Sequence, residues 1–204
     1  MRREIMNKMQ AISIADKTRF ESCLFHKLFE TSLWQNAQTV AVTMATPMEI
    51  QTDQIMQQAW REGKTILVPT TLPDWQMKFS EYHSDTIVET NDHGIREPVN
   101  GEPVSLNEID LIIVPGLGFS TATGYRLGFG GGYYDRFLEH YNGHTVSLAL
   151  PMQTFSEPEW PTYPHDIRIQ TIITCESEVD RGEANIETTI SKKLTMHHLS
   201  LMAY

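Results

Sequence analysis

The residues best suited to chemistry lie close together between positions 124 and 135: an arginine, a run of glycines, two tyrosines and an aspartate. Five glycines occur in the nine positions 124–132. Arg126 precedes four of them, and an arginine can bind a phosphate group through two parallel hydrogen bonds. The backbone N–H groups of a glycine loop bind phosphate as well. The segment therefore predicts a site for a phosphate group or a nucleotide.

The glycine run matches neither of the common nucleotide-binding motifs. No Gly-Lys-Ser or Gly-Lys-Thr closes it, and Tyr133 occupies the position of the third glycine in a G-x-G-x-x-G pattern that begins at Gly128. A flexible surface loop, or a tight strand-to-helix turn, is therefore the alternative. The phosphate site is favoured by Arg126, by the rings of Tyr133 and Tyr134, and by Asp135. That carboxylate is expected in a first helical turn and could reach a Mg²⁺ carried by phosphates.

The flanking patterns predict the elements that position these residues. Residues 109–114 form an apolar, β-branched run ended by Pro115-Gly116, which is typical of a buried strand and a turn. After the glycines, residues recur at i, i+3, i+4 and i+7, the spacing of one helical face: Tyr134, Phe137, Leu138 and Tyr141. Gly143 is expected to cap that helix. A helix that begins after the glycines would point the positive end of its dipole at an anion.

The rest of the chain alternates helical and strand patterns. Helices are predicted at residues 2–12, after a Ser13 cap, and from Thr52 to Gly63. Strands are predicted at residues 39–44, 64–68, 77–82, 144–150 and 171–174. The 64–68 strand is expected to end at Pro69, and residues 84–107 are expected to form a long surface excursion.

The strand–helix–strand unit at residues 39–68 calls for a parallel sheet with a right-handed crossover. Ligands bind at the carboxyl ends of the strands of such sheets. Glu49 follows the first of these ends, so a binding role and simple solvation in a loop are about equally expected.

Length, net charge and cysteine content limit the kinds of protein that this chain can be. With 204 residues, a single domain is expected. The net charge of -10 argues against nucleic acid or an anionic membrane as a partner, and no apolar run is long enough to span a membrane. No secretory signal follows Met1, so a cytoplasmic location is expected. Cys23 and Cys175 are expected to be two reduced, buried thiols.

Several of these segments together resemble the 5-formyltetrahydrofolate cyclo-ligase family, also called methenyltetrahydrofolate synthetases. The most specific match is one long run: Gly124-Tyr125-Arg126-Leu127-Gly128-Phe129-Gly130-Gly131-Gly132-Tyr133-Tyr134-Asp135-Arg136-Phe137-Leu138. Shorter matches occur in the family's order at residues 49–52, 94–98, 115–119, 165–166 and 172–174. The resemblance covers roughly residues 2–176.

The resemblance implies an α/β fold: a single-domain open, mostly parallel sheet with helices on both faces, Rossmann-like and NagB/RpiA/CoA-transferase-like. The cyclo-ligase domain would span residues 1–177, followed by a C-terminal extension at 178–204. The implied reaction uses ATP and Mg²⁺ to convert 5-formyltetrahydrofolate into 5,10-methenyltetrahydrofolate. The implied partners are these small molecules alone, with no nucleic acid and no membrane, and the protein is expected to be a monomer.

By position, the resemblance also implies roles for individual residues. Arg126 and Tyr134 would be catalytic, and Asp135 and Asp166 would bind Mg²⁺. ATP would contact the following residues: Arg2, Arg126, Leu127, Gly128, Phe129, Gly130, Gly131, Gly132, Tyr133 and Tyr134. The folate substrate would contact Met44, Glu49, Gly130 and Tyr133.

Two features leave alternatives to the cyclo-ligase function open: a departure from the family pattern at the N-terminus, and a fold that other enzymes share. The family pattern has a lysine about four residues before Arg2, a position that precedes Met1 here, so either the start lies upstream, or Arg3 substitutes, or ATP binding is weakened. A non-catalytic relative that binds folate or nucleotide, or a sugar-phosphate isomerase on a related fold, is the competing hypothesis. His165-Asp166 would be a solvated loop pair without the resemblance, and a metal site at His197-His198 is rejected because no second cluster supports it.

Overall fold

The computed structural model describes residues 1–91 and 94–175. Residues Met1–Thr174 form one compact unit, and a second unit begins at Cys175, the one residue of it that the structure describes. The predicted extension at 178–204, including His197-His198, lies outside the described residues. The domain boundary at residue 177 therefore stays a prediction.

The described residues form helices and strands that alternate along the chain. The α-helices are α1 (Arg2–Ala11), α2 (Ile14–Glu30), α3 (Ser32–Asn36), α4 (Asp53–Arg61) and α5 (Tyr133–Leu138). The first strands are β1 (Thr39–Val42), β2 (Thr65–Thr71), β3 (Met77–Glu81), β4 (Val88–Thr90), β5 (Arg96–Pro98) and β6 (Leu111–Ile113). The later strands are β7 (Gly118–Ser120), β8 (Arg126–Leu127), β9 (His144–Ala149), β10 (Thr154–Phe155) and β11 (Thr171–Thr174).

The main sheet has six strands in the order β11-β9-β6-β1-β2-β3. Neighbours are parallel from β11 to β2, and β3 pairs antiparallel with β2. The chain thus builds outward from β1 through β2 and β3, and returns to the other side of β1 with β6. This confirms the predicted open, mostly parallel sheet, and it creates a point between β1 and β6 where the strand order reverses. Ligands bind at the carboxyl edge of such a point.

Two groups of buried side chains fix the elements that surround this edge. The larger packs α5 and neighbouring loops on the sheet through Ala41, Leu67, Phe79, Ile109, Ile112, Val114, Leu138, Tyr141 and Ile169. The smaller joins α1 to β8 and nearby loops through Ile5, Met9, Leu117, Leu127 and Trp160. Because Ile5 and Met9 are one helical turn apart, their burial brings the first turn of α1 to the segment that carries Arg126.

The helix after the glycines is shorter than the sequence pattern predicts. It ends at Leu138, with Glu139 as its C-cap, so Gly143 does not cap it. Tyr141 continues the apolar spacing but lies in a turn, where its hydroxyl donates to the backbone oxygens of Ile109 at 3.1 Å and His144 at 3.3 Å. A helix this short has a small dipole, so the argument from the helix dipole contributes less than expected.

The strand predicted to stop at Pro69 continues to Thr71. Beyond Leu67, β2 pairs with β3 alone. A proline has no N–H to donate, and a position with one neighbouring strand tolerates that loss. The prediction that β2 ends at Pro69 was wrong because the sequence does not show which strands pair on each side of β2.

The excursion predicted at residues 84–107 contains regular structure among its described residues. It contains the antiparallel pair β4 and β5. The Glu97 side chain fastens β5 to the end of β2, accepting hydrogen bonds from the Thr71 backbone N–H at 3.0 Å and hydroxyl at 2.7 Å.

The cysteines differ from the expectation of two reduced thiols. Neither is free, and both Cys23 and Cys175 are disulfide-bonded. The sequence contained no sign of this because the two residues lie far apart in the chain and have no framework spacing. Within residues 1–91 and 94–175, no helix is long and apolar enough to cross a membrane.

Candidate functional site

The candidate site lies at the carboxyl ends of β1, β6 and β9, where the strand order reverses. A cavity of about 40 Å³ lies at this edge, lined by Thr43, Val114, Leu148 and Glu49 among others. It is too small for a bicyclic ring such as a pterin, since ligand pockets of that kind measure a few hundred Å³. Gly116 also lines this inner cavity, and Gly116 lies next to Arg126, which precedes the glycine loop.

An ion pair between Arg126 and Asp135 is at the centre of the site. The Arg126 Nη2 donates to both carboxylate oxygens of Asp135 at 2.9 Å. The Arg126 side chain is 3% exposed and that of Asp135 is 22% exposed. Asp135 Oδ1 also accepts the backbone N–H of Ile167 at 3.2 Å. The first turn of α5 and the loop before β11 thus meet at one carboxylate.

The rest of the Arg126 guanidinium group is buried without partners. In the part of the chain that the structure describes, Arg126 Nε and Nη1 have no hydrogen-bond partner. Burial lowers the pKa of the Arg126 guanidinium, and the charge of Asp135 opposes that shift. Gly116 makes the buried position possible, because a Cβ there would lie 2.8 Å from Arg126 Cγ. Two buried donors without acceptors indicate a place for an anionic ligand.

Tyr134 lies beside Arg126 and interacts electrostatically with Glu49, which lines the inner cavity. The Arg126 guanidinium carbon lies 5.6 Å from the centre of the Tyr134 ring. The Tyr134 hydroxyl is buried, and no hydrogen-bond partner for it exists among residues 1–91 and 94–175. Burial raises the pKa of Tyr134, while the charge of Arg126 lowers it and that of Glu49 raises it. The hydroxyl therefore stays protonated at neutral pH and is available as a hydrogen-bond donor.

Glu49 is held in the loop after β1 by a local turn. Its Oε2 accepts hydrogen bonds from the Thr46 backbone N–H at 2.9 Å and from the Thr46 hydroxyl at 2.7 Å. These bonds orient the carboxylate and occupy one of its two oxygens. Met44 lies at the same edge of the sheet, two residues after β1, and is buried.

Two arginines bind backbone oxygens of the glycine loop. Arg2 of α1 donates from Nε to the backbone oxygen of Gly128 at 2.8 Å. Arg136 of α5 donates from Nη1 to the backbone oxygen of Gly131 at 2.9 Å. Gly132 precedes α5 with φ at 68°, a left-handed conformation that favours glycine. Because these bonds use carbonyl oxygens, the loop's N–H groups remain available to an anion.

The other predicted loop residues divide into buried and exposed ones. Leu127 is 5% exposed and packs with Ile5 and Trp160, so its side chain positions the loop. Phe129 is 48% exposed. The ring of Tyr133 lies 5.7 Å from that of Trp75, and Gly130 has φ at 117°.

Asp166 lies beside the central ion pair. Its Oδ2 accepts the backbone N–H of Tyr163 at 2.8 Å, and its charge raises the pKa of Arg126. The backbone N–H of the next residue, Ile167, donates to Asp135. The two aspartates predicted to bind a metal are therefore near each other.

The donors present fit a Mg²⁺ ion that also binds phosphates. Both carboxylates remain about one-fifth exposed, and carboxylate oxygens are ligands that Mg²⁺ prefers. Among the described residues no group of three or more histidine, cysteine or acidic side chains could hold a metal. Mg²⁺ bound through phosphates requires only one or two protein carboxylates, so Asp135 and Asp166 would suffice.

Sequence reasoning missed three residues that shape the site. Thr46 orients Glu49, and Arg136 holds Gly131. Trp75 lies in the turn between β2 and β3 and contacts Tyr133. A tryptophan in a Pro-Asp turn was the available signal for Trp75, and Arg136 lies inside the long motif at residues 124–138. Thr46 had no signal that distinguished it from an ordinary polar residue.

A second cavity, of about 610 Å³, lies at the opposite edge of the sheet, at the amino ends of β1, β6 and β9. Its lining includes Asn36, Asp110 and His144 and none of the predicted site residues. The Asp110 carboxylate there accepts the backbone N–H groups of Gln38 and Thr39, at 2.8 and 2.9 Å, so it stabilises the start of β1.

Relatives of known name match most of the chain. A mouse 5-formyltetrahydrofolate cyclo-ligase is 26% identical over 191 residues, covering 85% of this chain and 91% of the relative. The Escherichia coli K12 protein of the same name is 32% identical over 145 residues, covering 68% of this chain and 78% of the relative. A probable 5-formyltetrahydrofolate cyclo-ligase of Caenorhabditis elegans is 34% identical over 161 residues, covering 70% and 76%.

Solved structures agree with these sequence matches. The 5,10-methenyltetrahydrofolate synthetase of Aquifex aeolicus superposes with a TM-score of 0.73 at 28% identity, covering 85% of this chain and 87% of that one. The Mycoplasma pneumoniae synthetase superposes with a TM-score of 0.69 at 22% identity, which supports the fold. The family model for 5-formyltetrahydrofolate cyclo-ligases matches residues 1–175. The chain belongs to the 5-formyltetrahydrofolate cyclo-ligase family.

Proposed function

We propose that this protein converts 5-formyltetrahydrofolate into 5,10-methenyltetrahydrofolate, using ATP and Mg²⁺ and releasing ADP and phosphate. The observation that carries the proposal is the buried Arg126, which lies just before the glycine loop and whose Nε and Nη1 have no partner among the described residues. Family membership supplies the substrate, since the relatives bear the name of this reaction.

The reaction must remove the formyl oxygen of a formamide, which is a poor leaving group until it is phosphorylated. The γ-phosphoryl group of ATP moves to the formyl oxygen, and the bond from that phosphorus to ADP breaks. The N10 nitrogen then attacks the formyl carbon, loses its proton, and the ring closes as the C–O bond breaks and phosphate departs. Transfer of this kind depends on positioning and charge neutralisation and requires no covalent intermediate with the protein.

The chain's own residues fit these needs. Arg126 would neutralise charge on the transferred phosphoryl group, and the loop's N–H groups would hold the phosphates. The protonated Tyr134 hydroxyl would donate a hydrogen bond where negative charge develops. Glu49 would accept hydrogen bonds from the pterin. Asp135 and Asp166 would hold Mg²⁺, which supplies positive charge to the phosphates.

A spectrophotometric assay tests the proposal directly. The purified protein is mixed with 5-formyltetrahydrofolate, Mg²⁺ and ATP, and the absorbance of the methenyl product is followed against a control without ATP. Product that depends on ATP supports the proposal. Binding of folate without product, also in a chain extended to restore a lysine before Arg2, would instead favour a non-catalytic relative.

The metal ligands can be tested separately with two asparagine variants. Asp166→Asn keeps an oxygen to accept the Tyr163 N–H, so it should raise the Mg²⁺ concentration needed for half-maximal rate without loss of folding stability. Asp135→Asn should raise that requirement too and also destabilise the fold, because it removes the negative charge that compensates a buried arginine. An unchanged Mg²⁺ titration in either variant would remove that residue from the proposed metal site.

A further inference from the structure

A tryptophan outside the predicted site lies against the glycine loop. Trp75 belongs to the Pro73–Trp75 turn between β2 and β3, which the Leu72 N–H closes by donating to the Gln76 backbone oxygen at 2.8 Å. Its ring centre lies 5.7 Å from that of Tyr133, with 53° between the ring planes. A Cβ added to Gly131 would lie 3.5 Å from Trp75 Cε3. The indole ring is therefore next to the second half of the loop.

The backbone of the turn that carries this indole has an unfavourable conformation. Asp74 and Trp75 have φ angles of 58° and 61°, the left-handed region that residues with a Cβ rarely adopt. Burial of the side chain does not offset that cost, since Trp75 is 56% exposed. The other tryptophans (Trp34, Trp60 and Trp160) are buried or partly buried. A strained turn that presents an exposed aromatic ring at a site is a reason to look for a binding role.

The two halves of the glycine loop differ in chemistry. The first half, at Gly128, is next to the cation Arg2, which suits the phosphates of a nucleotide. The second half, at Gly131, is next to Arg136 and to the rings of Trp75 and Tyr133. These two rings offer aromatic faces that suit stacking with a planar aromatic group of a substrate.

We propose that Trp75 is a specificity-determining residue whose indole stacks on the p-aminobenzoyl ring of the folate substrate. The inference rests on the proposed function. In 5-formyltetrahydrofolate this ring is bonded directly to N10, the atom that attacks the formyl carbon. The ring must therefore lie close to the reacting atoms, and it must point away from the pterin at Glu49. Neither Trp75 nor Tyr133 lines the inner cavity that contains Glu49, so this aromatic pair fits that requirement.

Kinetics of two Trp75 variants test the assignment. Trp75→Leu removes the aromatic face and should raise KM for 5-formyltetrahydrofolate about tenfold, as loss of one stacked ring does. Its kcat should stay within about twofold and its KM for ATP should not change. Trp75→Phe keeps a ring and should retain most of the affinity. Trp60→Leu, whose ring packs on Tyr82 in another part of the fold, is the matched control and should leave both KM values unchanged.

Fluorescence quenching tests binding without turnover. Acrylamide should quench the exposed Trp75, and 5-formyltetrahydrofolate should protect it, after correction for absorbance by the folate. ATP with Mg²⁺ should not protect it. In Trp75→Phe the protected component should disappear, which assigns the signal to this residue.

The outcomes separate this inference from the proposed function. An active wild-type protein with no folate protection of Trp75, and with KM unchanged in Trp75→Leu, would overturn the inference alone. A raised KM for ATP in that variant would assign the indole to the nucleotide and overturn it as well. A wild-type protein that forms no product but whose Trp75 is protected by folate would refute the proposed reaction and support the stacking role.

Discussion

The N–H donors of a buried guanidinium group need hydrogen-bond acceptors, and among the described residues only one nitrogen of Arg126 has them. Its Nη2 pairs with Asp135, while Nε and Nη1 are left for a ligand. An ion pair that is incomplete in this way contributes less to stability than to binding, because the missing acceptors are supplied when an anion arrives.

We therefore expect Arg126→Ala to lower kcat about a hundredfold to a thousandfold, the cost of removing one donor aimed at developing charge. Arg126→Lys keeps the charge but not the forked donors, and should still lose at least about tenfold. Steady-state kinetics in the cyclo-ligase assay measure both. Arg61→Ala, on the exposed surface of α4, is the control for loss of a positive charge. A near-normal kcat for Arg126→Ala would exclude this residue from the mechanism.

Tyr134 and Tyr141 offer a matched pair of buried hydroxyls. Tyr134→Phe removes a hydroxyl without a described partner, so it should stabilise the fold by about 1 kcal/mol while lowering kcat. Tyr141→Phe removes bonds to Ile109 and His144, so it should destabilise the fold by about 1 kcal/mol while kcat stays unchanged. Urea unfolding and kinetics measure the two effects. Loss of stability in Tyr134→Phe would mean that its hydroxyl has a partner in the free protein.

At the scale of elements, three separate pieces of structure converge on one loop. The first turn of α1 supplies Arg2, the first turn of α5 supplies Arg136, and the turn between β2 and β3 supplies Trp75. The loop's shape thus depends on packing elsewhere, above all on Ile5 and Met9, which fix α1.

The strained turn should respond to glycine. Asp74→Gly relieves a left-handed φ of 58° and should raise the free energy of unfolding by about 1 kcal/mol, if the turn keeps its conformation. Asp74→Ala cannot relieve that strain and should give no stabilisation. Urea unfolding of the two variants at one pH measures the difference. Equal stabilities would show that the left-handed conformation of this turn carries no measurable cost.

For the whole molecule, the buried tyrosines predict a stability limit at alkaline pH. Burial raises the pKa of both Tyr134 and Tyr141 above the ordinary value of about 10. Above that pH the unfolded chain loses these protons while the folded protein keeps them. The free energy of unfolding should therefore fall as pH rises past about 10, by up to about 1.4 kcal/mol per pH unit for each tyrosine.

Urea unfolding between about pH 9 and about pH 11 measures this slope. Tyr134→Phe should reduce it, because one of the two groups that lose protons only on unfolding is gone. A slope that is the same in wild type and variant would show that Tyr134 ionises equally in both states.

The sequence by itself determined the elements that depend on local pattern. The β-branched runs of β1, β6, β9 and β11, the Ser13 cap of α2 and the start of a helix after the glycines all lie where they were predicted. Period and cap chemistry are short-range, so residues within one turn or strand carry that information.

Tertiary structure alone decided which distant residues meet. Nothing near Pro69 indicated that β2 would run past it beside β3, and nothing near Tyr141 indicated that a turn would end the apolar helical pattern. The contacts of Trp75 with Tyr133 and of Ile167 with Asp135 depend on where the sheet brings separate loops together. Such contacts join residues that are far apart in the chain. Packing against the whole sheet determines them, so no local sequence pattern predicts them.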